Sequence, residues 1–326
     1  MKAIRGQLVS GIIMLWLVGV AASFAVSPKS NEDIPPAQTE TAVSEALPAE
    51  YWITLHDSGV AIELEEYITG VLLAELPGDF HPQAKMAQAV AARTFAVKMG
   101  RQICRHGTDR VCCDSSCCQG YLSEEAYLSA GGNIKTLLEA KQAVKNTAGL
   151  VISYGGGLID ATYFSCSGGR TEDAAAVWGA DVPYLQAVDS PGEEDALYYT
   201  ETVKFSASAF QNALGISLSG DAETWFGPLK RTEGGGVAEL TIGGVKYTGV
   251  QLRSQLGLRS ANFTVTPQSD GVVITTRGFG HRVGLSQYGA DAMAEIGVDF
   301  IGILKHYYSG IEVVNMEKLG LEIGVK

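Results

Sequence analysis

Apolar residues recur with two different periods along this chain, and each period predicts a type of element. Between positions 64 and 75 they lie three and four residues apart, which predicts one buried face of a helix that ends before Pro77. A second, alanine-rich helix is predicted from Pro82 to Lys98, where small side chains allow close packing. Further helices are predicted over residues 123–146 with Ser123 as N-cap, and over 204–214, 250–256, 286–296 and 300–307.

Shorter apolar runs bounded by glycine-containing turns predict strands. They cover residues 52–55, 60–64, 150–154, 158–164, 237–242, 245–248, 263–266 and 271–276. The Gly-Gly pair at 243–244 is typical of a hairpin turn. Because strands and helices do not alternate one for one, the pattern predicts an α+β fold, in which helices and short antiparallel strands form one mixed domain.

The first 50 residues have a different pattern. An uncharged, strongly apolar run from Gly6 to Ser27 follows Lys2 and Arg5, and it has about the 20 residues that a membrane-spanning helix needs. Positive charges before the run predict a cytoplasmic N-terminus and an exported remainder. A signal peptide cleaved after a small-x-small site at 23–25 is the competing interpretation, and a buried core helix is a third.

The expected organisation has three parts. Residues 1–27 form a cytoplasmic stub and transmembrane anchor, or a signal peptide. Residues 28–50, rich in proline, serine, threonine and glutamate, form a flexible linker. Residues 51–326 form the extracytoplasmic domain.

Composition narrows the function. The chain has 326 residues, 46% of them hydrophobic, which is enough for a sizeable core. Its formal net charge is −12, whereas nucleic-acid binding needs a basic surface. We therefore expect no nucleic-acid partner, but an uncharged glycan remains compatible with this charge.

Glu75 is a carboxylic acid at a position that continues the apolar face of the first helix. Removal from water favours the neutral form of a carboxyl group, and a neutral acid near pH 7 can act as a general acid. The competing interpretation is that Glu75 lies half-exposed at the helix end or pairs with Arg93.

Five of the six cysteines lie between residues 104 and 118, together with His106. Clustered cysteines in an exported protein form disulfides by default. His106, Cys112 and Cys118, however, follow one another at intervals of six residues, and histidine with thiolates suits tetrahedral Zn²⁺. Zinc ligation, disulfides and unpaired thiols stay open, and a fourth ligand could be Cys104, Cys113, Cys117 or water.

Two glycine-rich polar segments, residues 162–172 and 278–290, have side chains suited to holding a polar ligand. Ser286 either contacts the ligand or caps the following helix. Cys166 in the first segment would make a different enzyme class if it were a nucleophile. Trp178 could stack on a sugar ring or belong to the core.

These segments resemble the stage II sporulation protein D family. The family signature Glu-Tyr-x-x-Gly-Val-x-x-x-Glu-x-Pro aligns with Glu66–Pro77, and the resemblance implies that Glu75 is the catalytic acid. It implies a zinc bound by His106, Cys112 and Cys118, structural rather than catalytic. It also implies a substrate cleft, whose residues would be Gln88, Arg93, Ser167, Thr171, His281, Ser286, Gln287 and Tyr288. For Gln88 and Arg93, a supporting role is the alternative to substrate contact.

The resemblance implies a membrane-anchored lytic transglycosylase that acts during engulfment in sporulation. Such an enzyme cleaves the bond between N-acetylmuramic acid and N-acetylglucosamine in peptidoglycan strands stripped of their peptides, and it leaves 1,6-anhydro ends. The implied partners are an amidase, stage II sporulation protein P, and a membrane protein, stage II sporulation protein M. The implied location is the mother-cell membrane, as a single-pass protein whose catalytic domain faces the intermembrane space. A non-catalytic cell-wall module of the amidase-enhancer type is the alternative.

Overall fold

The computed structural model describes residues 51–100, 110–113 and 117–321. The predicted anchor and linker and the proposed ligand His106 lie outside the described residues. Within the described ranges, no helix combines the length and the apolar character needed to cross a membrane.

The helices of the described chain are α1 (Leu64–Glu75), α2 (Pro82–Met99), α3 (Glu124–Ser129), α4 (Ile134–Asn146), α5 (Ala174–Trp178), α6 (Ala207–Leu214), α7 (Gly249–Leu256), α8 (Gln287–Glu295) and α9 (Phe300–Tyr307). The strands are β1 (Trp52–Thr54), β2 (Ala61–Glu63), β3 (Leu150–Tyr154), β4 (Gly157–Leu158), β5 (Tyr163–Phe164), β6 (Thr200–Ser206), β7 (Phe226–Arg231), β8 (Val237–Ile242), β9 (Val245–Tyr247), β10 (Phe263–Gln268), β11 (Gly271–Arg277), β12 (Leu285–Ser286) and β13 (Glu312–Asn315). The strands form small sheets in the orders β1-β2, β10-β11-β6, β12-β5, β13-β3-β4 and β7-β8-β9. The predicted α+β class is confirmed.

Helix α2 is the central element, because it is buried on nearly every side. It packs against α1 and α4, and also against α8, α9 and β3. Its alanines are almost completely shielded from water, so neighbouring helices approach it closely, as the sequence predicts. Two hydrophobic cores therefore lie against α2, one shared with α1 and α4 and the other with α8 and α9.

Residues 200–277 build a lobe with a core of its own. The lobe contains two antiparallel sheets, β10-β11-β6 and β7-β8-β9, with α6 and α7. Its core is formed by aromatic and aliphatic side chains that include Phe210, Trp225, Leu252, Phe263 and Ile274. Helix α7 carries one residue of this lobe to the cavity described below.

Two predicted elements are wrong in their extent. The expected strand over 158–164 is divided into β4, which forms a hairpin with β3, and β5, which pairs in parallel with β12. The expected helix over 204–214 begins only at Ala207, because residues 200–206 form strand β6 against β11. Strand β7 was not predicted, since Gly227 and Pro228 interrupt its apolar pattern.

Both predicted serine caps are confirmed. The Ser123 Oγ accepts a hydrogen bond from the Ala126 N–H at 3.1 Å at the start of α3. The Ser286 Oγ accepts one from the Gly289 N–H at 3.4 Å at the start of α8. Each cap satisfies a backbone donor that the helix leaves unpaired in its first turn.

Candidate functional site

A cavity of about 510 Å³ lies where α1, α2, the lobe and both glycine-rich segments meet. This volume is within the range of small-molecule and saccharide pockets. The residues lining it are Glu75, Phe95, Cys118, Thr162, Tyr163, Phe164, Ser165, Tyr198, Arg253, Phe279, Gly280, His281 and Gln287. Of the cleft residues expected from the sequence, Glu75, His281 and Gln287 line it.

Backbone pairing brings the two glycine-rich segments side by side. Strands β5 and β12 pair in parallel, with Leu285 opposite Tyr163. At Gly284 the backbone has a φ of +84°, and an added Cβ would lie 2.2 Å from the Thr162 carbonyl oxygen. Only glycine fits this approach, so the segment from 278 to 287 can follow residues 162–166 closely enough to share a cavity wall.

Glu75 is the last residue of α1 and is half-buried. Its Oε1 accepts a hydrogen bond from the Gly120 N–H at 2.7 Å. Burial raises the pKa of its carboxyl group; the Gly120 hydrogen bond and the adjacent Gln287 amide oppose that effect without cancelling it. Glu75 does lie at the helix end, but Arg93 is not its partner.

The loop after the cysteines positions Glu75. An added Cβ at Gly120 would lie 2.8 Å from the Glu75 Oε1, so a side chain there would displace the carboxyl group. Gln119, one residue earlier, is buried, accepts from the Tyr163 hydroxyl at 2.8 Å and donates to the Tyr67 hydroxyl at 3.3 Å. The loop is therefore tied both to α1 and to the cavity wall.

Gln287 presents an unsatisfied donor at the cavity. Its side chain is only 5% exposed, and its Nε2 has no hydrogen-bond partner of ordinary geometry, although the amide is close enough to influence Glu75. A buried unpaired N–H is costly, and such groups need an explanation. A ligand oxygen in the cavity would satisfy it.

His281 forms an uncharged part of the cavity wall. Burial, together with the nearby Arg253 charge, lowers the pKa of its imidazole to about 4. Its Nδ1 accepts from the Val283 N–H at 3.1 Å, and its ring lies against Phe164 and Trp178. Trp178 is 47% exposed, so it is a surface aromatic beside the cavity rather than a core residue.

Arg93 supports the fold and does not line the cavity. Its guanidinium is fully buried and donates to both carboxylate oxygens of Glu65 and to the Leu150 carbonyl. These contacts favour the supporting role of Arg93, which was the alternative to substrate contact. Gln88 is also buried inside α2 and away from the cavity lining, and neither amide atom has a hydrogen-bond partner.

Ser167, Thr171, Ser286 and Tyr288 are not among the residues that line the cavity; the first three are fully buried, and Tyr288 is half-buried. Thr171 accepts from the Val188 N–H at 2.8 Å, and Tyr288 packs edge-on against Phe80. The hydroxyls of Ser167 and Ser286 both donate to Glu193. These residues fix the two glycine-rich segments, and the structure gives them neighbours in the protein rather than a place on the cavity surface.

Glu193 is the centre of a buried hydrogen-bond network that sequence patterns did not indicate. Its Oε1 accepts from the hydroxyls of Ser190 and Ser286 at 2.6 and 2.5 Å. Its Oε2 accepts from the Cys166 thiol, the Ser167 N–H and hydroxyl, and the Gly168 N–H. One carboxylate therefore joins both glycine-rich segments.

Cys166 has no features of a nucleophile. The thiol is fully buried and donates to Glu193 at 3.2 Å. Burial and the adjacent carboxylate raise its pKa, whereas a reactive thiol needs a lowered pKa.

Cys112, Cys117 and Cys118 form a candidate metal site. One sulfur from each lies within 4.8 Å of the others. None of the described cysteines forms a disulfide. Three thiols this close would repel one another once ionised, and a divalent cation compensates that repulsion, so the donor set fits Zn²⁺. Cys112 and Cys118 are two of the three ligands proposed from the sequence, and Cys117 supplies the third sulfur of the cluster.

Cys113 does not belong to the cluster. Its backbone N–H donates to Asp57 at 3.3 Å, and burial together with Asp57 raises the pKa of its thiol to about 11. The cluster adjoins the cavity, because Cys118 also lines it. A metal here would hold the loop whose next residues, Gln119 and Gly120, position Glu75.

We expect Cys117→Ser to weaken zinc binding by more than the roughly 10–100-fold typical of outer-shell changes. Cys113→Ser, its matched control, should leave zinc content unchanged. Elemental analysis of the purified proteins after dialysis against a graded chelator measures both. Equal retention of zinc in the two variants would remove Cys117 from the ligand set.

Comparison with known sequences places these features in a family. The sequence profile described as "Stage II sporulation protein" matches residues 58–154, which include Glu75 and the cysteine cluster. Stage II sporulation protein D of Bacillus amyloliquefaciens is 40% identical over 256 residues, 77% of this chain and 74% of that protein. The chain belongs to the stage II sporulation protein D family. The resemblance drawn from the motifs is thus confirmed, and it assigns the chain to a family of sporulation proteins.

The homology extends over nearly the full length. Stage II sporulation protein D of Bacillus subtilis (strain 168) is 36% identical over 300 residues, 90% of this chain and 87% of that protein. A protein of the same strain named "Amidase enhancer" is 27% identical over 298 residues, which is 74% of this chain but only 39% of the enhancer.

Proposed function

We propose that this protein is a peptidoglycan lytic transglycosylase, a carbon–oxygen lyase that cleaves the bond between N-acetylmuramic acid and N-acetylglucosamine in peptide-stripped glycan strands during engulfment. Membership of a sporulation family supports the biological setting. The chemistry rests on the cavity, which has the size for a sugar ligand and presents Glu75 with a raised pKa.

One observation carries the proposal. Among the described residues that line the cavity, Glu75 is the only carboxylic acid. Ordinary glycosidases use two carboxyl groups, about 5–5.5 Å apart in retaining enzymes and about 6.5–9.5 Å apart in inverting enzymes. A cavity with one acid favours a reaction whose nucleophile belongs to the substrate.

The proposed reaction uses Glu75 twice. The neutral carboxylic acid protonates the glycosidic oxygen as the C1–O bond of N-acetylmuramic acid breaks. The resulting carboxylate then removes a proton from the C6 hydroxyl of the same sugar, which closes on C1 as a 1,6-anhydro ring. Atoms balance without water, and Glu75 returns to its neutral form.

The surroundings of Glu75 suit both steps. Burial stabilises the neutral acid before cleavage, and the Gly120 N–H stabilises the carboxylate afterwards. Burial and the Gly120 hydrogen bond thus act in opposite directions on the pKa of this carboxyl group. The cysteine-bound zinc would keep the Gly120 loop in place, and it would take no part in proton transfer.

The remaining expectations belong to the proposal. They are single-pass anchoring in the mother-cell membrane, a catalytic domain facing the intermembrane space, and action beside an amidase, stage II sporulation protein P, and stage II sporulation protein M. An amidase is chemically the required predecessor, because it removes the stem peptides.

Mass spectrometry of products from peptide-stripped glycan strands tests the activity. Incubation with the zinc-loaded protein should give fragments with 1,6-anhydro ends, which are lighter by one water than hydrolytic fragments. Reducing ends would contradict the transglycosylase assignment and indicate a hydrolase.

The amidase-enhancer relative supports a second candidate function, a non-catalytic cell-wall module. Such a module would leave glycan strands intact and accelerate an amidase in a mixed assay. Intact strands together with faster peptide release would establish this alternative.

We expect Cys166→Ser to retain glycan cleavage within about threefold of the unmodified protein, since a serine hydroxyl can also donate to Glu193 and Cys166 does not line the cavity. Initial rates on stripped strands measure it. A complete loss of glycan cleavage in a folded variant would indicate that the Cys166 thiol takes part in the reaction.

A further inference from the structure

Arg253 brings a cationic group to the cavity from outside the family signature. It lies on α7 of the lobe, half-buried, and lines the cavity together with Glu75 and His281. Its Nε donates to the Arg259 carbonyl at 3.1 Å, which fixes the side chain. No carboxylate of the described residues lies within 4.0 Å of its guanidinium nitrogens.

This lack of a counter-charge is unusual for an arginine that has lost part of its hydration. Its neighbour Arg259 is paired with Glu201 at 3.0 Å, and the buried Arg93 and Arg282 are paired with Glu65 and Glu172. A partly buried guanidinium costs free energy unless an anion or several acceptors satisfy it. The fork of N–H groups left on Arg253 is suited to a carboxylate.

Among the described residues that line the cavity, Arg253 is the only one with a permanent positive charge. His281 is neutral at physiological pH, and burial favours the neutral form of Glu75. A fixed cation therefore lines the cavity although the whole chain has a net charge of −12. That contrast indicates a ligand with an anionic group, which a plain neutral glycan does not have.

Given the proposed function, the anion has an obvious chemical source. N-acetylmuramic acid differs from N-acetylglucosamine by a lactyl ether that ends in a carboxyl group. In an intact strand, this carboxyl is an amide to the stem peptide and is uncharged. It becomes a free carboxylate only when the peptide has been removed.

We propose that Arg253 binds the free lactyl carboxylate of N-acetylmuramic acid and thereby selects strands that have lost their stem peptides. This inference rests on the proposed function and deepens it. The selection is electrostatic: a strand with its peptide presents a neutral amide to the guanidinium, and it leaves Arg253 without its partner. The lobe thus supplies specificity, and α1 supplies the acid.

Binding measurements with a matched set of oligosaccharides test this. The full-length protein carries Glu75→Gln so that it binds without cleaving. Its ligands are a stripped oligosaccharide, the same molecule with each lactyl carboxyl converted to a primary amide, and a chitin oligosaccharide of equal length. The affinities of this protein are compared with those of a second protein that carries both Glu75→Gln and Arg253→Gln.

We expect Arg253→Gln to weaken binding of the carboxylate form about 10–100-fold, the range of a charge-assisted bidentate pair, and to change the amide and chitin affinities less than threefold. Arg253→Lys, which keeps the charge but loses the fork, should be intermediate. Lys230→Gln removes an exposed charge of the same lobe and should change nothing.

Three results would overturn the inference. Equal loss of affinity for all three ligands would make Arg253 a structural residue. Unchanged affinity for the carboxylate form would remove it from the binding site. Failure of the Arg253-containing protein to bind any of these oligosaccharides would overturn the proposed function itself, and this inference with it. Thermal melting of each variant separates misfolding from lost binding.

Discussion

Glu75→Gln is expected to reduce glycan cleavage by at least about 10³-fold, because one residue is assigned both the acid and the base step and general acid–base catalysis contributes about 10²–10⁴-fold. The amide is nearly isosteric and retains an oxygen for the Gly120 N–H, so the fold should persist. Initial rates on stripped strands, with circular dichroism as a folding check, measure the effect.

The pH profile gives a second readout of the same residue. The acid step needs protonated Glu75, whose pKa is raised by burial. The rate should therefore be retained on the acidic side of that pKa and fall as the pH rises through it. Glu125→Gln, an exposed substitution on α3, is the matched control and should keep both the rate and the profile. A Glu75→Gln protein with appreciable activity would require another catalytic acid.

Glu193→Ala is expected to lower the free energy of unfolding by about 3–5 kcal/mol. The substitution removes the acceptor of six hydrogen bonds and leaves the Ser190, Ser286 and Ser167 hydroxyls buried without that partner. Since domains are stable by only about 5–15 kcal/mol, this is a large fraction. Urea denaturation followed by intrinsic fluorescence measures it.

Glu194→Ala tests whether position matters rather than charge. Glu194 is the next residue but is exposed, so its replacement should change stability by less than about 0.5 kcal/mol. Similar unfolding midpoints for the two alanine variants would mean that the Glu193 network does not hold the glycine-rich segments together.

Much of the architecture near Glu75 could be predicted from local patterns. The spacing of apolar residues and the following Pro77 predicted a helix that ends close to Glu75, where α1 does end. The alanine content of α2 predicted its close packing. Both serine caps were predictable, because capping depends on residues a few positions apart. In contrast, β5 could not be placed, since its partner β12 lies more than 100 residues away in sequence.

The residues missed around the site have no local signature. Glu193 and Glu194 are adjacent acids in one turn-rich segment, and only the tertiary fold buries the first and exposes the second. Arg253 lies between core residues of a short amphipathic helix and has the pattern of a solvated side chain. For Arg93 the motif left a substrate contact and a supporting role open, because its partner Glu65 lies 28 residues earlier on α1 and has no local signature.

In the proposed reaction, bond cleavage uses a hydroxyl of the substrate instead of water. Digestion of peptide-stripped strands in water enriched in ¹⁸O, followed by mass spectrometry of the new glycan ends, tests it most directly. We expect 1,6-anhydro ends that contain no ¹⁸O. New reducing ends that carry ¹⁸O at C1 would contradict it.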